Sequence, residues 1–434
     1  MIRRWFLMLA LALALGGCGT SASKLLNLGK DDKAALPGKR ESVLQNTAET
    51  ADQAIASDPI VVPAAQSNPS WSQPGGASSN ALHNLSLNPQ IARVFAAKAG
   101  KGSNRNGRLT ASPIVVGGRI FVLDAEAQVR ALSADTGGAM WTASLAPDGK
   151  DGKGAFGGGL ASDGSRLYAT TAFGEALALD MASGQVVWRK AIGTPIRSSP
   201  TISAGRMVFA TSGNQIFCLS TTDGSELWNS QGVGEQAAVI ASTSPAIADD
   251  TVVVPLTSGD ITALNLSSGA PLWTDSLAST DTTSSLANLN DISARPVIDG
   301  GQVFAVSHSG IFAAFDAGSG QRLWQRDLSG THTPWVSGDY VFLITGRNKL
   351  VAVSRKSGGV RWIRELPTGN WSGPVMGGGK LIAASSEGAL ALVSAQTGDL
   401  LTSIELGSKV YIDPIIASGT LFVLADDGDI IALR

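Results

Sequence analysis

Short apolar runs separated by glycine turns recur along the chain from about residue 110 to its last residue. Two of these runs are Arg119 to Val122 and Gln302 to Val306, and each follows a turn that contains a Gly-Gly pair. Glycine supplies the positive φ that tight hairpin turns need, and short apolar, β-branched runs between such turns are typical of strands. The pattern therefore predicts an all-β chain built from many short antiparallel strands.

A tryptophan recurs at one position of this pattern, four residues after the glycine of a turn whose fullest form is Thr-Gly-x-x-x-Trp. The copies are spaced 38 to 51 residues apart, by subtraction of their numbers, and lie at Trp141, Trp188, Trp228, Trp273, Trp324 and Trp362. One four-stranded propeller blade occupies roughly 40 to 50 residues. We therefore expect each copy to be one blade, with its tryptophan docked against a neighbouring blade. Trp335 and Trp371 fall outside this position, and they either fill gaps between blades or anchor a partner.

A second marker, a proline at the start of an inner strand, raises the number of copies to eight. We call these positions the landmarks, although the second copy has leucine: Pro113, Leu160, Pro200, Pro245, Pro296, Pro334, Pro374 and Pro414. The seventh copy has Thr402 in the tryptophan position, and the eighth holds only three strands before Arg434. The segment from Gln90 to Ala97 has strand character and places Phe95 in the tryptophan position. We predict that this N-terminal strand completes the eighth blade and closes the ring, which removes an exposed sheet edge.

The third strand of six copies carries a small residue six positions before the turn glycine: Ala131, Ala178, Cys218, Ala263, Ala314 and Ala352. Leu392 breaks the pattern in the seventh copy. We expect the small residue to mark where the sheets crowd together as they converge on the central axis. Cys218 is then a packed core residue, and no disulfide is expected because the other cysteine is Cys18.

Residues 1–17 have the pattern of a secretion signal, with Arg3 and Arg4 before an apolar stretch that is too short to span a membrane. The stretch from Leu15 to Cys18 resembles the bacterial lipoprotein cleavage region, in which the cysteine is acylated and becomes the N-terminus. An ordinary secretion signal with an accidental cysteine is the alternative. Residues 18–70 are rich in Ala, Ser, Asp and Lys with scattered prolines, and we predict a flexible tether there. The ring is then expected over residues 71–434.

Charge and candidate ligands argue against several other classes of protein. The chain has 33 basic and 35 acidic side chains, so no broad nucleic-acid surface is indicated. Its histidines, His83, His308 and His332, have no paired spacing, and no metal site is expected. The run from Asp426 to Asp429 is interpreted as a turn because it lacks the later acidic ligand of a calcium hand. Asp413 is interpreted as a loop cap rather than a catalytic acid.

The repeats resemble the blades of quinoprotein dehydrogenases, whose docking motif is Ala-x-Asp-x-x-Thr-Gly-x-x-x-Trp. The copy nearest to it runs from Ala178 to Trp188. This motif specifies packing, so the resemblance implies the propeller more strongly than it implies pyrroloquinoline quinone. Many of those enzymes carry an adjacent cysteine pair, which this chain lacks. A periplasmic quinone-dependent dehydrogenase of alcohols or sugars is therefore the alternative function.

The whole chain resembles the BamB family, lipoprotein subunits of the machinery that inserts β-barrels into the outer membrane of Gram-negative bacteria. The resemblance rests on Cys18, on the tether and the eight blades, and on two short stretches, Leu36 to Arg40 and Trp71 to Gly76. Gly19 follows the cysteine where an aspartate often retains lipoproteins in the inner membrane. The resemblance implies a non-catalytic scaffold with no cofactor, lipid-anchored on the periplasmic face of the outer membrane. The implied partners are the periplasmic domains of BamA, the other subunits of the machinery and, through sheet edges or loops, unfolded barrel precursors.

In this family two stretches before successive landmark prolines contact BamA. A Leu-x-Leu-Arg stretch corresponds here to a segment that includes Val239 and Ile240, and an Asp-x-Asp stretch corresponds to Asp291 and Ser293. Only Asp291 keeps the residue type of the family, and a loop aspartate that caps its own backbone is the alternative for it. The resemblance therefore implies a docking surface at the same place with different chemistry.

Overall fold

The computed structural model describes residues 50–152, 154, 157–232, 243–278 and 292–434. Within these ranges 32 strands form eight four-stranded antiparallel sheets, and one turn of 3-10 helix spans Gln53–Ile55. No helix of the described part is long and apolar enough to cross a bilayer. Successive sheets meet through their innermost strands, and this arrangement confirms the predicted eight-bladed propeller.

Each blade contributes one strand at the axis and three strands outside it, and the strands are numbered in chain order. The innermost strands are β2 (Ile114–Val116), β6 (Gly158–Ser162), β10 (Thr201–Ser203), β14 (Ala246–Ala248), β18 (Val297–Asp299), β22 (Trp335–Ser337), β26 (Trp371–Gly377) and β30 (Ile415–Ala417). The second strands are β3 (Arg119–Leu123), β7 (Arg166–Thr171), β11 (Arg206–Ala210), β15 (Thr251–Pro255), β19 (Gln302–Val306), β23 (Tyr340–Ile344), β27 (Lys380–Ser385) and β31 (Thr420–Leu424).

The two outer positions of each blade follow the same order. The third strands are β4 (Gln128–Ser133), β8 (Glu175–Asp180), β12 (Gln215–Ser220), β16 (Asp260–Asn265), β20 (Ile311–Asp316), β24 (Lys349–Ser354), β28 (Ala389–Ser394) and β32 (Asp429–Leu433). The outermost strands are β5 (Ala139–Ser144), β9 (Val186–Ala191), β13 (Glu226–Gln231), β17 (Pro271–Ser276), β21 (Arg322–Asp327), β25 (Val360–Glu365), β29 (Leu400–Glu405) and, in the eighth blade, β1 (Arg93–Lys98).

The N-terminal strand β1 closes the ring as predicted. It pairs antiparallel with β32, and Phe95 lies opposite Ala432. A Cβ added to Gly137 in the first blade would lie 2.7 Å from the Phe95 ring. Phe95 therefore docks the eighth blade against the first, in the position that tryptophan occupies in six other blades.

Each of the six docking tryptophans packs beneath the turn glycine of the next blade. At Trp228, for example, a Cβ added to Gly269 would lie 2.6 Å from the indole ring. In every copy the indole N–H also donates a hydrogen bond of 2.8 to 3.1 Å to the carbonyl three residues before that glycine. Burial of an indole is worth up to ~4 to 6 kcal/mol. The repeated motif is therefore a clamp between neighbouring blades.

The small residue of the third strand lies directly opposite the docking tryptophan, as Ala263 does opposite Trp273. The crowding at this position comes from the indole, and the expectation that it comes from convergence on the axis is wrong. In the seventh blade Leu392 lies opposite Thr402, so a larger third-strand residue accompanies a smaller fourth-strand one. The eighth blade takes its fourth strand from β1 and so has no turn glycine that a tryptophan at Thr402 would cover.

Replacing Gly269 with alanine is expected to destabilise the ring more than the same change at Gly205. Both glycines have φ near +73°, so each alanine costs about 1 to 2 kcal/mol for the left-handed backbone. At Gly205 the nearest atom to an added Cβ is 3.9 Å away, whereas at Gly269 the Cβ would overlap Trp228 and add about 1 to 3 kcal/mol. Denaturant unfolding of both variants measures the difference, and equal losses would contradict the clamp.

Residues 52–58 lie against the outer edge of the sixth blade. The Asp52 N–H donates to the Val360 carbonyl at 2.7 Å, and the Asp52 carboxylate accepts from the Val360 N–H at 3.0 Å. Arg361 Nε donates to the Asp58 carbonyl at 2.6 Å. The predicted tether over 18–70 is therefore too long, because its last part is held by the sixth blade and the ring. Cys18 and the stretch from Leu36 to Arg40 lie outside the described residues.

Residues 66–86, which we call the cap, cross one end of the ring and contact the innermost strand of every blade. In the sixth blade Trp335 Nε1 donates to the His83 carbonyl at 2.8 Å. In the other seven blades the cap hydrogen-bonds the residue two positions after the landmark, namely Val115, Ser162, Ile202, Ile247, Ile298, Met376 and Ile416. The innermost strands are sheet edges, and their backbone groups need partners. The cap supplies such partners and closes this end of the channel.

Trp335 and Trp371, the two tryptophans of the repeats that lie outside the docking position, are both buried. Trp335 is 4% exposed and stacks on Trp71 of the cap with ring centroids 6.3 Å apart. Trp371 is 3% exposed and donates to the Pro367 carbonyl at 2.8 Å. They fill the interior of the ring, so the alternative that they are exposed partner anchors is wrong.

Candidate functional site

The residues that immediately precede the eight landmarks occupy equivalent positions around the central channel. They are Ser112, Gly159, Ser199, Ser244, Arg295, Thr333, Gly373 and Asp413. Six of them are glycine or carry a hydroxyl, and the two charged members are Arg295 from the fifth blade and Asp413 from the eighth. The charged side chains of this layer are therefore one pair, Arg295 and Asp413.

Arg295 links four blades through its guanidinium group. It donates to Ser112 Oγ at 2.6 Å in the first blade and to Thr333 Oγ1 at 3.2 Å in the sixth. Its Nη1 lies 3.5 Å from a carboxylate oxygen of Asp413 in the eighth. The side chain is 9% exposed. Burial lowers the pKa of Arg295, and the charge of Asp413 opposes that effect.

Asp413 contacts the sixth blade through His332 and the seventh blade through Gly373. Its Oδ1 accepts a hydrogen bond from the Gly373 N–H at 2.7 Å and lies 2.7 Å from His332 Nδ1. Burial alone would raise the pKa of Asp413, but the charges of His332 and Arg295 and these hydrogen bonds hold it below its usual value. Asp413 thus caps the loop at Gly373, as its sequence context predicts, and also stabilises Arg295.

A cavity of about 390 Å³ lies above this layer, at the end of the channel opposite the cap. Leu109, Tyr411 and Ile412 supply apolar surface to its wall, and Arg108 lies at its exposed rim. Arg295 and Asp413 line both this cavity and a smaller space of about 20 Å³ that Trp71 and Trp335 bound. The charged pair therefore forms a floor, and the cavity is closed towards the cap.

The outermost strands present a second candidate surface. In seven blades the residue just before the docking position is an aliphatic side chain that is 44 to 53% exposed: Val94, Met140, Val187, Leu227, Leu272, Leu323 and Leu401. The sixth blade has Arg361 instead, and residues 52–58 cover that edge. The chain thus covers one outer edge with its own N-terminal segment, which includes the 3-10 turn Gln53–Ile55, while the corresponding apolar positions of seven blades are exposed.

Within the described ranges no group of three or more His, Cys, Asp or Glu side chains could hold a metal ion. Asp427 Oδ1 accepts a hydrogen bond from the Asp429 N–H at 3.1 Å, so the acidic run has the geometry of a turn. Cys218 is buried, and burial raises the pKa of its thiol to about 12. A thiol of this kind packs as a small apolar group.

The pattern of blades matches a known family. The family model described as outer membrane protein assembly factor BamB matches residues 125–364 and 365–434. The chain belongs to the BamB family. The BamB of Moranella endobia is 25% identical over 340 residues, which cover 76% of this chain and 88% of that protein. The crystal structure of BamB from Moraxella catarrhalis matches with a TM-score of 0.68 at 19% identity, covering 80% of this chain and 100% of that one.

The propeller frame is also found in an enzyme. The quinohemoprotein alcohol dehydrogenase of Comamonas testosteroni matches with a TM-score of 0.68, over 89% of this chain and 83% of that one, at 13% identity. At this identity the likeness shows the fold alone. BamB and the dehydrogenase therefore share with this chain the propeller fold that the tryptophan repeat predicts.

The docking residues implied by the BamB resemblance are only partly described. Val239, Ile240 and Asp291 lie outside the described residues. Ser293 is 6% exposed and lines the cavity two residues before Arg295. Contact of these four positions with a partner stays a prediction.

The charged floor of the channel was not predicted from the sequence of this BamB-family chain. Its signal was present, because Arg295 and Asp413 each precede a landmark proline, where the other copies have glycine, serine or threonine. Comparing all eight copies at that single position distinguishes them. The same comparison one position earlier distinguishes His332, because no other copy has a titratable residue there.

Proposed function

We propose that this chain is a non-catalytic scaffold of the outer-membrane β-barrel assembly machinery, anchored through lipidated Cys18 on the periplasmic face of the outer membrane. Its partners are the periplasmic domains of BamA and other subunits of the machinery. Membership of the BamB family carries this proposal, since relatives across most of the chain are named outer membrane protein assembly factors. Catalysis and a bound cofactor form no part of the proposed role.

The outer edges of the blades support a direct role with barrel precursors. Unfolded barrel strands are extended and carry apolar residues on alternate positions, and an extended peptide can add to an exposed sheet edge. Leu272 and Leu323 offer apolar contacts beside such edges. The hydrogen bonds between Asp52 and Val360 are an example within this chain of an outer edge that pairs with a further segment, here one that continues into the 3-10 turn Gln53–Ile55.

Affinity purification of the full chain after gentle detergent extraction is expected to recover a large outer-membrane β-barrel protein. Cys18→Ser, expressed with a general cleavable secretion signal in place of residues 1–17, should be washed from the membrane more readily than the acylated chain, because acyl chains supply the stable attachment. Cys218→Ser is the matched control and should stay with the membrane, since that thiol is buried in the ring. Recovery of the chain alone, or equal membrane retention of the Cys18→Ser form and the acylated chain, would contradict the proposal.

The same purification tests the outer edges when a photo-crosslinking residue replaces Leu272 or Arg361. Crosslinks to barrel precursors are expected from position 272 and should be several-fold fewer from position 361, where residues 52–58 cover the edge. Equal yields would argue against docking at the edges. Dye-linked alcohol oxidation on addition of pyrroloquinoline quinone and calcium would support the dehydrogenase instead.

A further inference from the structure

In the part of the chain that the structure describes, two hydrogen-bond donors at the floor of the channel cavity have no acceptor. Ser293 Oγ and Arg295 Nε are buried, and neither has a hydrogen-bond partner among the described residues. Both residues line the same cavity of about 390 Å³. Buried donors without partners cost free energy, and sites for small ligands have volumes from about 300 to 1,000 Å³. The floor is therefore suited to a ligand that brings an acceptor.

The charges around this floor favour an acceptor with one negative charge. The hydrogen bond of Asp413 to the Gly373 N–H and its contact with His332 are both 2.7 Å long, whereas its contact with the guanidinium of Arg295 is 3.5 Å long. The positive charge of Arg295 is thus only partly compensated. A dianion would place its second negative charge near the carboxylate of Asp413. Two neighbouring negative charges repel strongly inside a protein.

The walls indicate what the rest of the ligand is. Leu109 and Ile412 are buried apolar residues of the wall, and Tyr411 adds an aromatic ring that is 41% exposed. Apolar walls with a few convergent polar groups are typical of sites for small organic molecules. Arg108 at the exposed rim adds a positive charge that attracts anions from solution, and the half-buried Asp426 of the same wall offsets part of that charge.

We propose that this cavity binds a small organic monocarboxylate, with its carboxylate on Ser293 and Arg295 and its apolar body against Leu109 and Ile412. The proposal does not depend on the role of the chain in barrel assembly. It assigns the cavity a ligand of its own, whose site shares Ser293 with the predicted partner-docking positions.

Three probes that share a naphthalene ring test the proposal on the full chain by calorimetric titration and ligand-observed NMR. 2-Naphthoate is expected to bind at least about tenfold more tightly than 2-naphthamide, because the amide loses the charge-assisted hydrogen bonds. It should also bind more tightly than 2-naphthyl phosphate, which carries the second charge. Equal affinities for acid and amide, tighter binding of the phosphate, or no saturable binding of naphthoate up to about 10 mM would overturn the proposal.

Matched variants show whether the ligand lies on the floor of the cavity. Ser293→Ala should weaken naphthoate binding about 3- to 10-fold, whereas Ser337→Ala should leave it unchanged. Ser337 is the control because its Oγ is also buried without a hydrogen-bond partner in the described part of the chain, but it does not line the cavity. Arg108→Gln should weaken binding more at low salt than at high salt, and Arg105→Gln should have no such effect. Unchanged affinity in Ser293→Ala would refute the assignment.

Discussion

Replacing Arg295 with leucine is expected to destabilise the ring by about 3 to 5 kcal/mol. The substitution removes the positive charge beside Asp413, whose side chain is only 16% exposed. It also removes the hydrogen bonds that the guanidinium donates to Ser112 and Thr333. The blades that these bonds link across the axis then lose that connection. Guanidinium chloride unfolding followed by tryptophan fluorescence measures the loss, with an unchanged m-value as the sign that the compact state is the same.

Two further variants separate this effect from a general loss of charge. Adding Asp413→Asn to Arg295→Leu should restore part of the stability, because the buried carboxylate no longer lacks its partner. Arg364→Ala removes a surface pair with Asp399, whose side chains are 46% and 64% exposed, and should cost at most about 1 kcal/mol. A loss in Arg295→Leu as small as that in Arg364→Ala would mean that the channel pair contributes nothing to the ring.

The ring itself could be predicted because the contacts that build it are repeated. Each docking tryptophan meets a glycine in the next copy of the same motif, as Trp228 meets Gly269, so the period in the sequence is the period of the structure. The departures were informative as well. In the seventh blade threonine replaces tryptophan at Thr402 and the larger Leu392 replaces alanine opposite it, and the neighbouring eighth blade has no turn that links its third strand to its fourth. Phe95 occupies the tryptophan position of the strand that closes the ring.

The channel site escaped prediction because its residues are brought together only by closure of the ring. Arg295 and Asp413 are 118 residues apart in sequence, and neither stands in a motif of its own. Each is unusual only in comparison with the same position in the other blades. The cavity and its unpartnered donors depend on the packing of four blades and cannot be inferred from any local pattern.

The cap was assigned in part to the tether for a different reason. It binds mostly through backbone groups, as the Ser78 carbonyl does with the Ile247 N–H, and such contacts leave no apolar periodicity. Its composition of serine, glycine and proline is also that of a flexible linker. The cap differs from a flexible linker in its partners, which lie on the eight innermost strands, where the edge backbone groups need hydrogen bonds.

Loss of Trp71 is the second substitution with a large expected effect, and we expect Trp71→Ala to cost about 3 to 5 kcal/mol. The indole is 2% exposed, stacks on Trp335 and lies beside the two backbone hydrogen bonds between Trp71 and Val115. Its removal leaves a hole where the cap enters the ring, so the cap should detach before the blades separate. Limited proteolysis under native conditions is then expected to cut between residues 58 and 92 while the ring stays intact.

Variants within the cap separate its packing from its hydrogen bonds. Gln73 donates to the Ile202 carbonyl at 3.0 Å and accepts from the Ile202 N–H at 3.1 Å, so Gln73→Leu leaves both groups unpaired at about 1 to 3 kcal/mol each. Ser78→Ala keeps the backbone carbonyl that bonds Ile247 and should change stability by less than about 0.5 kcal/mol. If Trp71→Ala and Gln73→Leu were as stable and as resistant to protease as Ser78→Ala, the cap would contribute nothing to the stability of the ring. If the cap detaches in both variants, then its contacts with all eight blades help to hold the ring closed, and the cap is part of the propeller.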